Sequence, residues 1–202
     1  MGRTSDAKQK LLEVAFDLIW NNSYGSVSVD QICERANVKK GSFYHFFESK
    51  CDLAVKTYEE HWRAKQPEMD RIFSPQVPPL ERITGWCEYI FAWQKKKAEQ
   101  LGHVCGCPYS SVGGEVATQD DKIRSKSEEM MVRMTKYLES TLTDAKAEGL
   151  IECEDIKATA KQVNSYILGA MLQSKIQNDV EVLKNLEPTI MSIIGVKKAA
   201  LV

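Results

Sequence analysis

Apolar residues recur along this chain every three or four positions and nowhere alternate over the length of a strand, so the pattern predicts helices throughout. Leu11, Leu12, Ala15, Phe16 and Ile19 mark one face of a first helix over residues 5–21, opened by Ser5 and Asp6 and closed by Asn21 and Asn22. Gly25 marks the turn that follows. A second helix runs from Ser28 to Ala36 with Val29 and Ile32 on one side, and Ser28 with Gln31 three residues later spells a capping box. Asn37 falls where one residue must turn left-handed, which Asn tolerates better than other non-glycine residues. A third helix carries Phe43, Phe46 and Phe47.

After Lys50 a long helix passes through Tyr58 and Trp62, and Pro67, lacking an amide donor, is expected to kink or end it. Pro75, Pro78 and Pro79 form a loop, with Pro79 suited to the first position of a helix bearing Ile83, Trp86, Cys87, Ile90 and Phe91. Gly102 and Gly106 interrupt the pattern before a short helix near Tyr109 to Ala117. A long helix from Asp120 then carries Ile123, Met130, Met134, Leu138 and Leu142 as far as Gly149. Asp155 begins another, with Ala160, Val163, Ile167, Ala170 and Met171 in register, and the last runs from Asp179 to meet Pro188. The expected fold is all-α, with about nine helices.

Composition narrows the class. A chain of 202 residues with 43% hydrophobic content can bury a substantial core and is not disordered. No run of about eighteen apolar residues and no apolar stretch after the N-terminal charges is present, so neither a membrane span nor a signal peptide is expected. The cytoplasm is the expected compartment. Cysteines at 33, 51, 87, 105, 107 and 153 do not form the framework of a small secreted fold, and reduced thiols are expected. The net charge of −1 gives no bulk support for binding nucleic acid, and seven Lys or Arg stand against six Asp or Glu in the first fifty residues. A DNA surface must therefore come from placement, with Arg3, Lys8, Lys10, Lys39, Lys40 and Lys50 on one face and Glu13, Asp17 and Glu34 elsewhere.

The segment Asn37 to Phe47, NVKKGSFYHFF, is where placement is legible. A helix built only to bury an apolar face has no use for Lys39, Lys40, Ser42, Tyr44 and His45 beside three phenylalanines. Lys40, Gly41, Ser42, Phe43, Tyr44 and Phe47 fit the Lys-Gly-Ser/Thr-aromatic-Tyr-x-x-Phe pattern of the third helix in TetR-family transcriptional regulators. The chain resembles that family over about fifty residues, from Ser28, Val29, Ile32 and Val38 forward to Ser49 and Lys50, with Asn37 standing where glycine is usual. The resemblance implies a three-helix, helix-turn-helix DNA-binding domain over 1–50 and a larger helical effector-binding and dimerisation domain over 51–202. It also implies a regulator and not an enzyme, with double-stranded operator DNA as partner and no cofactor. Carried over residue by residue, it makes Ser28, Tyr44, His45 and Lys50 phosphate donors, which position without specifying. Lys39, Lys40 and Ser42 would read base edges in the major groove, and Gly41 would let the helix backbone approach DNA.

The remaining residues are less readable. One such module offers little surface, so a homodimer is expected, placing two reading helices about 34–36 Å apart. Ala160, Val163, Ile167, Gly169 and Ala170 form a stripe with small residues that suits a helix-helix interface, where the family places its own, although an ordinary buried helix has the same look. Trp62, Trp86, Tyr89, Trp93, Tyr109, Met130, Met131 and Met134 are an aromatic and methionine set suited to an adaptable pocket, with core packing accounting for most of them. The effector expected there is an unidentified small molecule.

His103, Cys105 and Cys107, spaced by two just before a helix start, admit three readings. They are a thiol sensor, since a Cys at a helix N-terminus ionises more readily and some family members place a Gly-Cys pair here. They are three ligands of a soft metal lacking a fourth. Or they are buried thiols filling space. The competing function is a cytosolic thiol enzyme or redox protein using Cys105 or Cys107 with His103 as base, and a third is a helical adaptor.

Overall fold

The computed structural model describes residues 2–197, with side chains from Asp6 onward. Among these residues the chain forms nine α-helices and one 3-10 segment, and the extended pairing is limited to an antiparallel bridge between Ile151 and Val196. The helices are α1 (Gly2–Asn21), α2 (Val29–Ala36), α3 (Lys40–Phe46), α4 (Lys50–Ile72), α5 (Pro79–Leu101), α6 (Pro108–Val116), α7 (Asp121–Ala147), α8 (Ile156–Gln177) and α9 (Leu186–Ile193). The 3-10 segment, Val180–Asn185, leads directly into α9. No helix among the described residues is long and apolar enough to cross a membrane.

The chain packs as two compact units, Met1–Gln66 with Pro108–Met130, and Pro67–Cys107 with Met131–Val202. In the first, α1 packs on α2, α3 and α6, and α2 on α3. Leu11, Ala15, Ile32, Phe43 and Leu53 are wholly buried there, with Phe47 nearly so, while Phe46 is half-buried. The α1 stripe and two of the three phenylalanines thus form the support on which the third helix rests. In the second, the core comprises Ile83, Leu138, Leu142, Ala160, Val163, Leu186, Ile190 and Ile194, where α5 and α8 both pack against the 3-10 segment and α9.

Pro67 and Pro188 both lie within helices. Pro67 does not end α4, which continues to Ile72. Its missing N–H removes one bond, that to the Arg63 carbonyl, and the helix absorbs the loss. Pro188 does not break a helix begun at Asp179. A 3-10 segment capped by Asp179 occupies that stretch, and α9 restarts at Leu186, so Pro188 lies in a first turn where its N–H has no partner to lose. The short α6 forms in spite of Gly113 and Gly114 because α7 packs against it closely. A Cβ on Gly113 would stand 2.6 Å from Oγ and 2.7 Å from Cβ of Ser127.

Candidate nucleic-acid interface

Local chemistry places α3. Ser28 Oγ accepts from the Gln31 amide at 3.2 Å while Gln31 Oε1 accepts from the Ser28 amide at 2.8 Å, so the capping box is complete. Asn37 turns left-handed at φ 51° and ψ 48°. Its amide bonds the Glu34 carbonyl at 3.0 Å and that of Val38 bonds Cys33 at 2.9 Å, the paired bonds of a Schellman turn. The chain then re-enters a helix within three residues. Phe43 is buried and its ring meets Phe47 at 5.6 Å between centroids, anchoring the inner face of α3.

The other face is open. Lys39, Lys40, Gly41 and His45 are exposed, Ser42 is half-buried, and Tyr44 is 56% exposed with its ring edge on Phe43. Lys40 Nζ lies 2.7 Å from Asp30 Oδ1, a bond that raises the lysine's pKa. Both partners are exposed, so the pair is weak and open to competition from a stronger anion. Gly41 has nothing within 4 Å of where a Cβ would stand, so the fold itself does not require glycine there. Among the other basic residues, Lys10 pairs with Asp6 at 2.9 Å and Lys8 is exposed, while the Arg3 side chain lies outside the described residues.

Lys50, expected to donate to phosphate from the start of α4, has internal partners. Its ammonium donates to the Tyr24 carbonyl at 2.8 Å and the Val27 carbonyl at 2.9 Å, and sits 4.1 Å from the centre of the Tyr24 ring. Burial lowers its pKa, with the Glu115 charge opposing. Glu115 of α6 holds the same turn from its amides, Oε2 accepting from Tyr24 at 2.9 Å and Oε1 from Gly25 at 2.7 Å. Burial pushes the Tyr24 phenol up to about 12.

The expected effector residues divide between the two units. In the first unit Trp62 is buried. Tyr109 shares a 2.8 Å hydrogen bond with His61 Nδ1, and His61 stacks on Phe16 of α1 with centroids 4.2 Å apart. In the second, Trp86 is buried with its ring on Phe73, while Tyr89, Met134 and Cys107 are half-buried against the core. Trp93 is half-buried. Burial, with Glu68 adding to it, pushes Tyr89 up to about 12.

The loop before α6 is firmly held. Gln94 is wholly buried, its Nε2 donating to the Gly106 carbonyl at 2.9 Å and its Oε1 accepting from the Gly106 amide at 3.2 Å. Asn178 Oδ1 accepts from the Val104 amide at 2.8 Å. Cys105 is wholly buried with its thiol directed at the His103 carbonyl, the His103 side chain is exposed, and Cys107 is half-buried directly before α6. Among the described residues no three His, Cys, Asp or Glu side chains are grouped to hold a metal ion. None of the six cysteines is in a disulfide.

The expected dimer stripe needs correction. Ala160, Val163, Ile167 and Ala170 are buried within the subunit's own core, leaving Gly169 exposed. The large apolar side chains exposed on α8 are Leu172 at 53% and Ile176 at 75%.

His61, Gln94 and Glu115 escaped the sequence reading. Gln94 had a signal, a polar residue at the next register position after Cys87 and Ile90 on the buried stripe of α5. Glu115 had none, its partners lying about ninety residues away.

Residues 11–56 match the model for bacterial regulatory proteins of the tetR family, and residues 79–190 match that for the tetracyclin repressor-like C-terminal domain. An uncharacterized HTH-type transcriptional regulator of Lactococcus lactis subsp. lactis is 24% identical over 181 residues, covering 89% of each chain. The HTH-type transcriptional repressor NemR of Escherichia coli (strain K12) is 24% identical over 195 residues, 94% of each. The crystal structure of E. coli NemR in its reduced form superposes with a TM-score of 0.77 at 22% identity, covering 95% of this chain and 99% of that one.

Proposed function

The chain belongs to the TetR family of bacterial regulatory proteins, and on that premise we propose a homodimeric repressor of transcription, working in the cytoplasm, that holds a palindromic operator through α3. It releases the operator when a small-molecule effector binds or Cys107 is modified. The observation that carries this reading is α3 itself, which buries Phe43 and turns Lys39, Lys40, Gly41, Tyr44 and His45 outward. Lys39, Lys40 and Ser42 read base edges, and Tyr44, His45 and the Ser28 hydroxyl steady the backbone. We assign DNA binding to residues 1–50 and effector binding and dimerisation to residues 51–202.

Leu172, Ile176 and the small Gly169 between α8 turns support a dimer seam on the outer face of α8. The thiol arm is supported by accessibility. Four of the six cysteines are buried, and Cys51, one of the two half-buried ones, is pushed up to about 11 by burial and its bond to Asp120. Cys107 is the remaining one, and the comparison protein was itself described as a reduced form. A thiol enzyme using Cys105 finds no support in a wholly buried thiol directed at a backbone carbonyl.

The test is a gel shift on the DNA upstream of the protein's own gene, with and without a thiol oxidant, for wild type and Cys107→Ser. A specific shift is expected, lost on oxidation in wild type and retained in the variant. Absence of any specific shift sinks the regulator. A shift indifferent to oxidant removes the thiol arm.

A further inference from the structure

The turn between α1 and α2 is gripped from both sides by charges of opposite sign. Glu115 takes its two successive amides, at 2.9 and 2.7 Å, and Lys50 takes the carbonyls of Tyr24 and Val27, at 2.8 and 2.9 Å. Four main-chain groups of a four-residue turn are thus held by two side chains from α4 and α6. Two further details indicate that the grip is built. Glu115 lies in the last turn of α6, where the helix dipole disfavours a carboxylate, so α6 gains nothing from it on its own account. Residue 25 is glycine, and a Cβ there would stand 3.1 Å from Glu115 Oε1, in the space the carboxylate uses.

Val27 is followed at once by Ser28, the cap of α2, and α2 leads through the Asn37 turn into α3. The position of Tyr24–Val27 therefore sets where the reading helix starts relative to α1. We infer that Glu115 and Lys50 are positioning residues for DNA binding, acting through this turn, and that Lys50 is not a phosphate contact. The inference rests on the DNA-binding role proposed above. It replaces a point charge facing the duplex with an internal clamp that links α6 to the entry of the helix-turn-helix.

The two roles separate by salt dependence. The probe is a duplex enriched from a random-sequence pool by the wild-type protein. Lys50→Met and Glu115→Gln are each expected to lower affinity by about three- to tenfold, the size of one or two exposed hydrogen bonds. The slope of log affinity against log salt stays at its wild-type value, and Lys50→Arg, which keeps donors for both carbonyls, retains affinity. The double variant loses less than the product of the single losses, because each variant already frees the same turn. A phosphate contact predicts instead a slope shallower by roughly 0.9 per contact in Lys50→Met, with Glu115→Gln binding as wild type or more tightly. That result overturns the clamp.

Amide hydrogen exchange decides the matter without DNA. Tyr24 and Gly25 should exchange faster in Glu115→Gln while the thermal melt stays cooperative, and unchanged protection at both amides overturns the inference. If wild type enriches no DNA, the regulator reading fails and exchange still judges the clamp.

Discussion

Gly41 concentrates the trade between folding and function in one position. A helical glycine costs about 1 kcal/mol against alanine, and beyond its own helix no described residue comes within 4 Å of the missing Cβ. Gly41→Ala should therefore stabilise the protein by about 0.4–1 kcal/mol in denaturant titration while weakening the selected duplex at least tenfold. If binding is unchanged, close approach of α3 to DNA is not why glycine is there. Gly113 presents the opposite case, since Ser127 already occupies the space. Residues of the first kind were legible in the sequence, because a cap, a left-handed Asn or an idle glycine is a local matter. Glu115 and Lys50 were not, since a carboxylate and the amides it holds share no local pattern.

At the scale of elements, Asp120 ties the start of α7 to the start of α4. Its Oδ1 accepts from the Lys122 and Ile123 amides at 3.0 Å each and from the Cys51 thiol at 3.3 Å. Burial alone would raise this carboxyl, but those bonds outweigh it and hold its pKa below the ordinary range. Its contribution is therefore present above an unfolded value of about 3.9 and lost as pH falls through the lower folded value. Asp120→Ala should cost about 0.5–2 kcal/mol at pH 7, and thermal melts should show the difference shrinking below pH about 4. An equal cost at pH 3 and pH 7 would remove the charge from the account. Helix existence was readable here because Asp120 and Asp155 are sequence-level starts, whereas Pro67 left open whether α4 ends there, and a helix can run past one missing bond.

For the whole molecule, the α8 stripe takes the second of its two expected forms, an ordinary buried face. The stripe through Ala160, Val163, Ile167 and Ala170 is real, but periodicity does not say whether an apolar face meets its own subunit or another, and this one is internal. Placing the seam at Leu172 and Ile176 predicts that Leu172→Glu with Ile176→Glu yields a folded monomer by sedimentation, with half-site binding only. A dimer surviving both changes would move the interface elsewhere. On the proposed reading a dimer matters because the net charge of −1 supplies no general attraction to DNA. The Lys40–Asp30 pair adds a little to that reserve, since Lys40 has an anion already beside it. Any phosphate on a wrong sequence must displace Asp30 with no base edge to reward the exchange. For so exposed a pair that toll is small, and it falls equally on every phosphate the lysine meets.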